Sequence, residues 1–247
     1  MKIIGVYNIK GGVGKTATAV NLAWLAAQEG YRTLIWDLDP QGAASFYFRI
    51  KPKIKGGSKA LLQHKRELDA VVKGTDFENL DLLPADFSYR HMDLELEDRR
   101  KPTKQLLQLL QPLSQEYDLV FLDCPPSISL VSENIFRAAD MLLVPMIPTT
   151  LSARTLEQLR DFLDENPRLF DLQMRPFFSM VDRRKRMHLE LVETLPRQYP
   201  GFLDQSIPYL SEVERMGLHR SPIGYFAPNS RANRAYQELW REVREGV

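Results

Sequence analysis

The chain has 247 residues, 44% of them hydrophobic and 26% charged, with a formal net charge of +1. That length suits one large α/β domain able to bury a sizeable core, and the near-neutral balance gives no global basic field, so any anionic partner must be met by a local patch. A single cysteine, Cys124, excludes an internal disulfide or a thiolate cage for a metal and suits a reducing cytoplasm.

The N-terminal stretch "MKIIGVYNIK" is apolar but short and runs straight into a glycine loop, so it reads as a buried strand rather than a signal peptide. No run approaches the ~18 apolar residues of a membrane span. Apolar runs at Ile3–Ile9, Thr33–Leu38, Leu80–Pro84, Leu119–Cys124, Met141–Ile147 and Phe177–Val181 predict strands, with Asp204–Pro208 as a further, weaker candidate. The intervening amphipathic stretches predict helices over Lys15–Glu29 (ended by Gly30), Lys104–Glu116, Ser129–Ala139, Ser152–Asn166 (ended by Pro167), Leu189–Tyr199 and Asn229–Glu245. The basic, glycine-containing stretch Arg49 to Lys59 reads as a loop. Unalternated strands separated by helices mean a mostly parallel, twisted sheet with helices on both faces, here as one domain over residues 1–247. Such sheets bind ligands at the carboxyl ends of their strands.

The first strand leads into Lys10-Gly11-Gly12-Val13-Gly14-Lys15-Thr16. The usual phosphate loop is G-x-x-x-x-G-K-[ST], but Ile9 occupies the place of its first glycine, so the strict pattern fails. The physics survives. Three glycines let backbone N–H groups turn toward phosphate oxygens, and the following helix adds its positive N-terminal end. Lys15 can reach the β and γ phosphates, and the Thr16 hydroxyl offers Mg²⁺ a hard oxygen ligand. Lys10 is a second lysine that such a loop does not require. Asp37 and Asp39, two apart at one strand end, share a face, and Asp123 ends another strand; a strand-end aspartate beside a phosphate loop serves Mg²⁺, directly or through water. Cys124 reads as a small buried residue, and Pro125-Pro126 stiffens the turn after it.

The loop resembles the deviant Walker A motif, KGGxGK[ST], of the ParA/MinD superfamily of ATPases. "LIWDLDPQGAAS" (Leu34 to Ser45), "LVFLDCPPS" (Leu119 to Ser127) and the C-terminal stretch Ser206 to Val243 are similar to that family's later motifs, in the same order. The resemblance implies an ATPase working with ATP and Mg²⁺. Gly11, Gly12, Val13, Gly14, Lys15, Thr16 and Ala17 would hold the nucleotide. Thr16, Asp37 and Asp123 would serve the metal, and Asp39 would orient the attacking water. Lys10 would reach across a dimer interface to the nucleotide of the other subunit, and hydrolysis would be slow without a stimulating partner. By position in the family, Asp182 and Pro208 would lie at the adenine, although the family often has Asn near the position of Asp182.

From residue 183 onward the chain holds eleven Lys/Arg against eight Asp/Glu, with a compact run at Arg183 to Arg186. A solvated face explains such a run, whereas small ParA-like members bind DNA non-specifically as ATP dimers through scattered C-terminal basic residues. The resemblance thus makes Arg183, Arg184, Arg186, Arg215, Arg220 and Arg231 the DNA candidates. It implies a cytoplasmic, nucleoid-associated homodimer that positions a plasmid, chromosome or protein assembly with a ParB-like or cargo-adaptor partner. No helix-turn-helix extension is expected, because the loop begins near residue 10. A MinD-like membrane switch would need a free amphipathic tail. The stripe Ala232, Ala235, Tyr236, Leu239, Trp240 and Val243 instead predicts a helix docked on the sheet, because its polar face mixes acids with bases. No membrane partner is therefore expected. A reductase like the nitrogenase iron protein would need more cysteines. A regulator of a secretion or polysaccharide system would carry the same engine and stays open.

Overall fold

The computed structural model describes residues 1–63, 68, 70–167 and 169–246. Strand β1 (Lys2–Val6) passes through the glycine loop into helix α1 (Lys15–Gln28), and β2 (Thr33–Asp37) is followed by the short helices α2 (Ala43–Tyr47) and α3 (Gly57–Leu62). A two-residue β3 (Lys73–Gly74) precedes β4 (Leu80–Leu83), then α4 (Met92–Glu97) and α5 (Gln105–Leu110). Next, β5 (Leu119–Asp123), α6 (Leu130–Ala138), β6 (Met141–Met146), α7 (Thr150–Glu165) and β7 (Gln173–Phe178) alternate, followed by α8 (Arg186–Thr194), α9 (Ser211–His219), α10 (Ile223–Phe226) and α11 (Arg231–Arg244).

The seven strands lie in the order β3-β4-β2-β5-β1-β6-β7. Every neighbouring pair is parallel except β3 with β4. Successive residues of a strand point to opposite faces, and here both faces are covered. Ile3, Leu34, Val120 and Leu142 feed a core shared with Ile135 and Phe136 of α6 and Leu156 and Leu159 of α7. Their neighbours Ile4, Ile35, Phe121 and Leu143 feed a second core with α1 and α11. This two-sided burial is why the strands read as unbroken apolar runs.

Helix α11 buries Ala232, Ala235, Tyr236, Leu239, Trp240 and Val243. Fully burying a Leu or Val is worth about 1.5–3 kcal/mol, so releasing this helix onto lipid would forfeit several such contributions. Among the described residues no helix is long and apolar enough to cross a membrane.

Some element boundaries differ from those expected. The helix expected over Lys104–Glu116 is α5 between two 3₁₀ turns, Pro102–Lys104 and Gln111–Gln115; Pro112 lacks the N–H and collides with the preceding turn. The helix expected over Leu189–Tyr199 runs from Arg186 to Thr194, with Leu195 still helical in φ and ψ, and it stops there because Pro196 has no N–H to continue the ladder and its ring collides with the preceding turn. β7 starts and ends earlier than the Phe177–Val181 run, and Met180 turns the chain away with φ 55°. The Asp204–Pro208 segment is no regular strand. It follows β7 and the residues after it through Leu203 N to Pro176 O (2.8 Å), Ile207 N to Phe178 O (2.8 Å) and one parallel bridge, Val181 to Pro208. The Arg49–Lys59 stretch is not loop throughout: Ile54 is buried and α3 begins within it, at Gly57.

Candidate nucleotide site at the strand ends

The parallel register sets the site. Val6, the last residue of β1, lies opposite Asp123 of β5, and Asp123 lies opposite Asp37 of β2. The glycine loop therefore leaves the sheet directly above two adjacent carboxylates. Asn8 holds the start of the loop, its Nδ2 donating to Pro145 O at 2.9 Å and its Oδ1 accepting from Lys10 N at 2.9 Å. Gly12 (φ 72°) and Gly14 (φ 91°) occupy the left-handed region that favours glycine. A Cβ on Gly14 would stand 2.9 Å from Ser179 Oγ, whereas one on Gly12 would point into open space, where the phosphates would lie. No side chain caps α1, so the first-turn N–H groups are left for an anion.

Lys15 is buried, and its Nζ donates to Lys10 O at 3.1 Å. Desolvation lowers its pKa, and the charges of Asp123, Cys124 and Asp39 oppose that shift. Asp123 is fully buried and both its oxygens lack a hydrogen-bond partner. Burial pushes its carboxyl well above the usual carboxylate range, and Asp37 adds to the rise. The Thr16 hydroxyl approaches Asp123 without meeting hydrogen-bond geometry and offsets part of that rise. Asp37, also fully buried, is pushed up to about 6 by burial against the opposing bonds of Ser45. Its Oδ2 accepts from Ser45 N and Ser45 Oγ, each at 2.7 Å, while Oδ1 has no partner.

Unpartnered oxygens on buried carboxylates call for a cation. Among the described residues no group of three or more His, Cys, Asp or Glu side chains could hold a metal alone. That agrees with Mg²⁺, which binds through one or two carboxylates plus substrate phosphates. Thr16, Asp37 and Asp123 fit this ion, which would neutralise charge on the transferring phosphoryl group.

Asp39 sits on the turn after β2, half-buried, its Oδ1 accepting from Gln41 N at 2.9 Å. Ala17 lies within the first turn of α1. Cys124 is buried, and desolvation followed by the Asp123 charge pushes its thiol up, so it carries no nucleophile. Within one subunit Lys10 rests its Nζ against Ser152 Oγ at 3.4 Å, near the N-terminus of α7.

A cleft opens beside Gly14, lined by Met180, Pro208, Tyr209, Leu210 and Tyr236 among others. Its apolar walls suit a flat heterocycle. Pro208 lies in this wall; Asp182 is outside it, with Oδ1 accepting from Arg184 N and Nε and Oδ2 accepting from Arg184 Nη2. These bonds hold its carboxyl below the usual range.

The arginines divide. Arg183 and Arg231 line one polar cleft together with Arg234. Arg184 pairs with Asp182 and Arg186 with Glu190, each at 2.8 Å. Arg215 approaches His219, and Arg220 packs over the Phe46 ring with Nε donating to Phe46 O at 3.0 Å. Sequence reading missed Asn8, Ser45, Met180 and Tyr236. Asn8 and Ser45 stand inside quoted motifs but carry no catalytic residue type, and nothing local marks the other two.

A glycine loop at the end of β1, a lysine and threonine opening α1, and carboxylates on two neighbouring strand ends define a P-loop nucleoside triphosphatase. A family model described as an AAA domain matches residues 1–173. The chain is 30% identical over 247 residues to the sporulation initiation inhibitor protein Soj of Bacillus subtilis strain 168, covering 98% of each chain. It is 32% identical over 253 residues to the chromosome partitioning protein ParA of Myxococcus xanthus, covering 98% of this chain and 87% of that one. Among solved structures, cobyrinic acid a,c-diamide synthase from Mycobacterium smegmatis with bound ATP analogue and magnesium is similar at TM-score 0.85 and 26% identity, over 98% of this chain and 94% of that one. The chain belongs to the ParA/MinD superfamily of P-loop ATPases.

Proposed function

We propose that this ATPase forms a homodimer when ATP is bound and then binds DNA without sequence preference. In that state it positions or segregates a cargo, and a ParB-like or cargo-adaptor partner stimulates its slow hydrolysis. The observation that carries this reading is the second lysine. Lys10 stands at the mouth of the phosphate loop with no carboxylate partner among the described residues, held within its own subunit by one long bond to Ser152. Leu151, the chain neighbour of Ser152, is an apolar side chain that reaches solvent, at 59% exposed. Two facing triphosphates would repel each other. A lysine reaching each from the opposite subunit offsets that repulsion in a cleft closed to water, where charge interactions strengthen.

Lys15 binds the β and γ phosphates, Asp39 orients the attacking water, and Thr16, Asp37 and Asp123 serve Mg²⁺. Positioning and charge neutralisation supply the catalysis. Adenine occupies the cleft beside Pro208. Arg183 and Arg231 meet DNA phosphates with support from Arg184, Arg186, Arg215 and Arg220, and the dimer doubles the contacts. Similarity to partition proteins over nearly the whole chain supports the cargo role, and the burial of α11 favours DNA over a lipid surface as the ATP-state platform. The test is retention of ATP-loaded Asp39→Ala on random-sequence DNA. Binding at low salt that falls steeply as salt rises is expected; no retention at low salt, with ATP bound, overturns the DNA half.

A further inference from the structure

Asp37 is the more constrained of the two metal-facing carboxylates, and one buried serine constrains it. Ser45 lies in α2, eight residues after Asp37, and is fully buried. Its hydroxyl donates to Asp37 Oδ2 at 2.7 Å and accepts from Ala85 N at 3.0 Å, just past the end of β4. Its backbone N–H donates to the same Oδ2 at 2.7 Å. Two donors on one oxygen leave Oδ1 without a partner, and Asp37 is paired in register with Asp123, both of whose oxygens also lack partners. The same bonds close the loop that carries Asp39, a loop that turns at Gly42 with φ 67° and with Gly42 N donating to Asp39 O at 2.9 Å.

From this geometry we infer that Ser45 is a positioning residue for the metal: its hydroxyl fixes Asp37 so that Oδ1 faces the Mg²⁺ that accompanies the nucleotide. A carboxylate with a free χ2 would present either oxygen, or turn its charge toward Asp123. Partners that orient a carboxylate at a metal site commonly cost tenfold to a hundredfold in metal affinity when removed. Ser45→Ala keeps the backbone bond, loses the hydroxyl bond and leaves Ala85 N without its partner. Ser45→Thr keeps the hydroxyl. The inference rests on the reading that Asp37 and Asp123 face the metal, so Asp123→Asn is included to test that reading separately.

The experiment is a Mg²⁺ titration of a fluorescent ATP analogue bound to the whole protein, with apo melting temperature as the check on folding. Ser45→Ala should raise the Mg²⁺ concentration for half-maximal response about tenfold, with Mg²⁺-free nucleotide affinity within about twofold of wild type. Ser45→Thr should return most of the response. If Ser45→Ala does not fold, Ser45→Cys, similar in size but a poorer donor, should show a smaller shift of the same sign. A folded Ser45→Ala or Ser45→Cys with wild-type Mg²⁺ dependence overturns the inference, as does a Ser45→Thr protein that folds but is as impaired as Ser45→Ala. If Asp123→Asn also leaves Mg²⁺ dependence unchanged, the metal reading itself falls, which is a different failure.

Discussion

Charge is held in opposite ways at the strand ends and on the surface after Val181. At the strand ends Asp37 and Asp123 are fully buried with oxygens that lack partners, and Lys15 is buried beside them. After Val181 the arginines stand in water: the side chains of Arg184 and Arg186 are 83% and 93% exposed, each beside a single acidic partner. Buried, unpaired charge is costly until a ligand arrives; exposed pairs cost and contribute little. The first region therefore stores a conformation for one small polyanion with its metal. The second is the surface to which the proposed function assigns DNA.

That contrast can be broken most sharply at Lys15. Lys15→Ala should weaken ATP binding about a hundredfold or more, since truncating one member of a buried charge constellation costs several kcal/mol; calorimetry measures it, and near-wild-type affinity would remove Lys15 from the site. Asp39→Ala should keep ATP binding yet lose about a hundredfold in turnover, because it removes positioning rather than affinity. Phosphate release checks this under saturating ATP.

Asp123→Asn should abolish the Mg²⁺ response and stabilise the apo protein, a separation that a purely structural residue would not give. Burial raises the Asp37 carboxyl to about 6 in the folded state, so the folded protein holds that proton more tightly than the unfolded chain. Asp123, the group the variant removes, is raised in the same direction, well above the usual carboxylate range, by burial and then by the Asp37 charge, so its removal relieves a cost that grows as pH rises above the ordinary value, 3.8. The variant's gain over wild type should be roughly 3–6 °C at neutral pH and smaller near pH 5. Equal gains at both pH values would contradict the burial account. The smallest effect belongs to the surface: removing Arg183 or Arg231 should lower the salt slope of DNA binding by about one per arginine, leaving ATP affinity unchanged.

The strand-end region was largely legible from residue order. Parallel strands buried on both faces read as apolar runs, and the loop motif sits where such a sheet must place its ligand. What sequence could not show was register: that Asp37 and Asp123 are direct neighbours follows from how β2 and β5 pair. The base cleft was harder, because it joins Gly14 to Met180, Pro208 and Tyr236 from distant parts of the chain, and Met180 adopts a left-handed conformation that its residue type does not announce. Helix α9 was missed, as were α2, α3, α4 and α10, each six residues or shorter, too short for a helical period to stand out. Of the basic residues, composition showed the surplus but not which arginines share a cleft.

In the proposed function Lys10 leaves Ser152 and completes the nucleotide site of a second subunit. Light scattering of Asp39→Ala with ATP and Mg²⁺, with and without the added Lys10→Ala change, tests it most directly. Twice the monomer mass for the single variant, and monomer mass for the double variant with ATP still bound, is the predicted result. A double variant that dimerises at the same concentration, or a single variant that stays monomeric, would contradict the account.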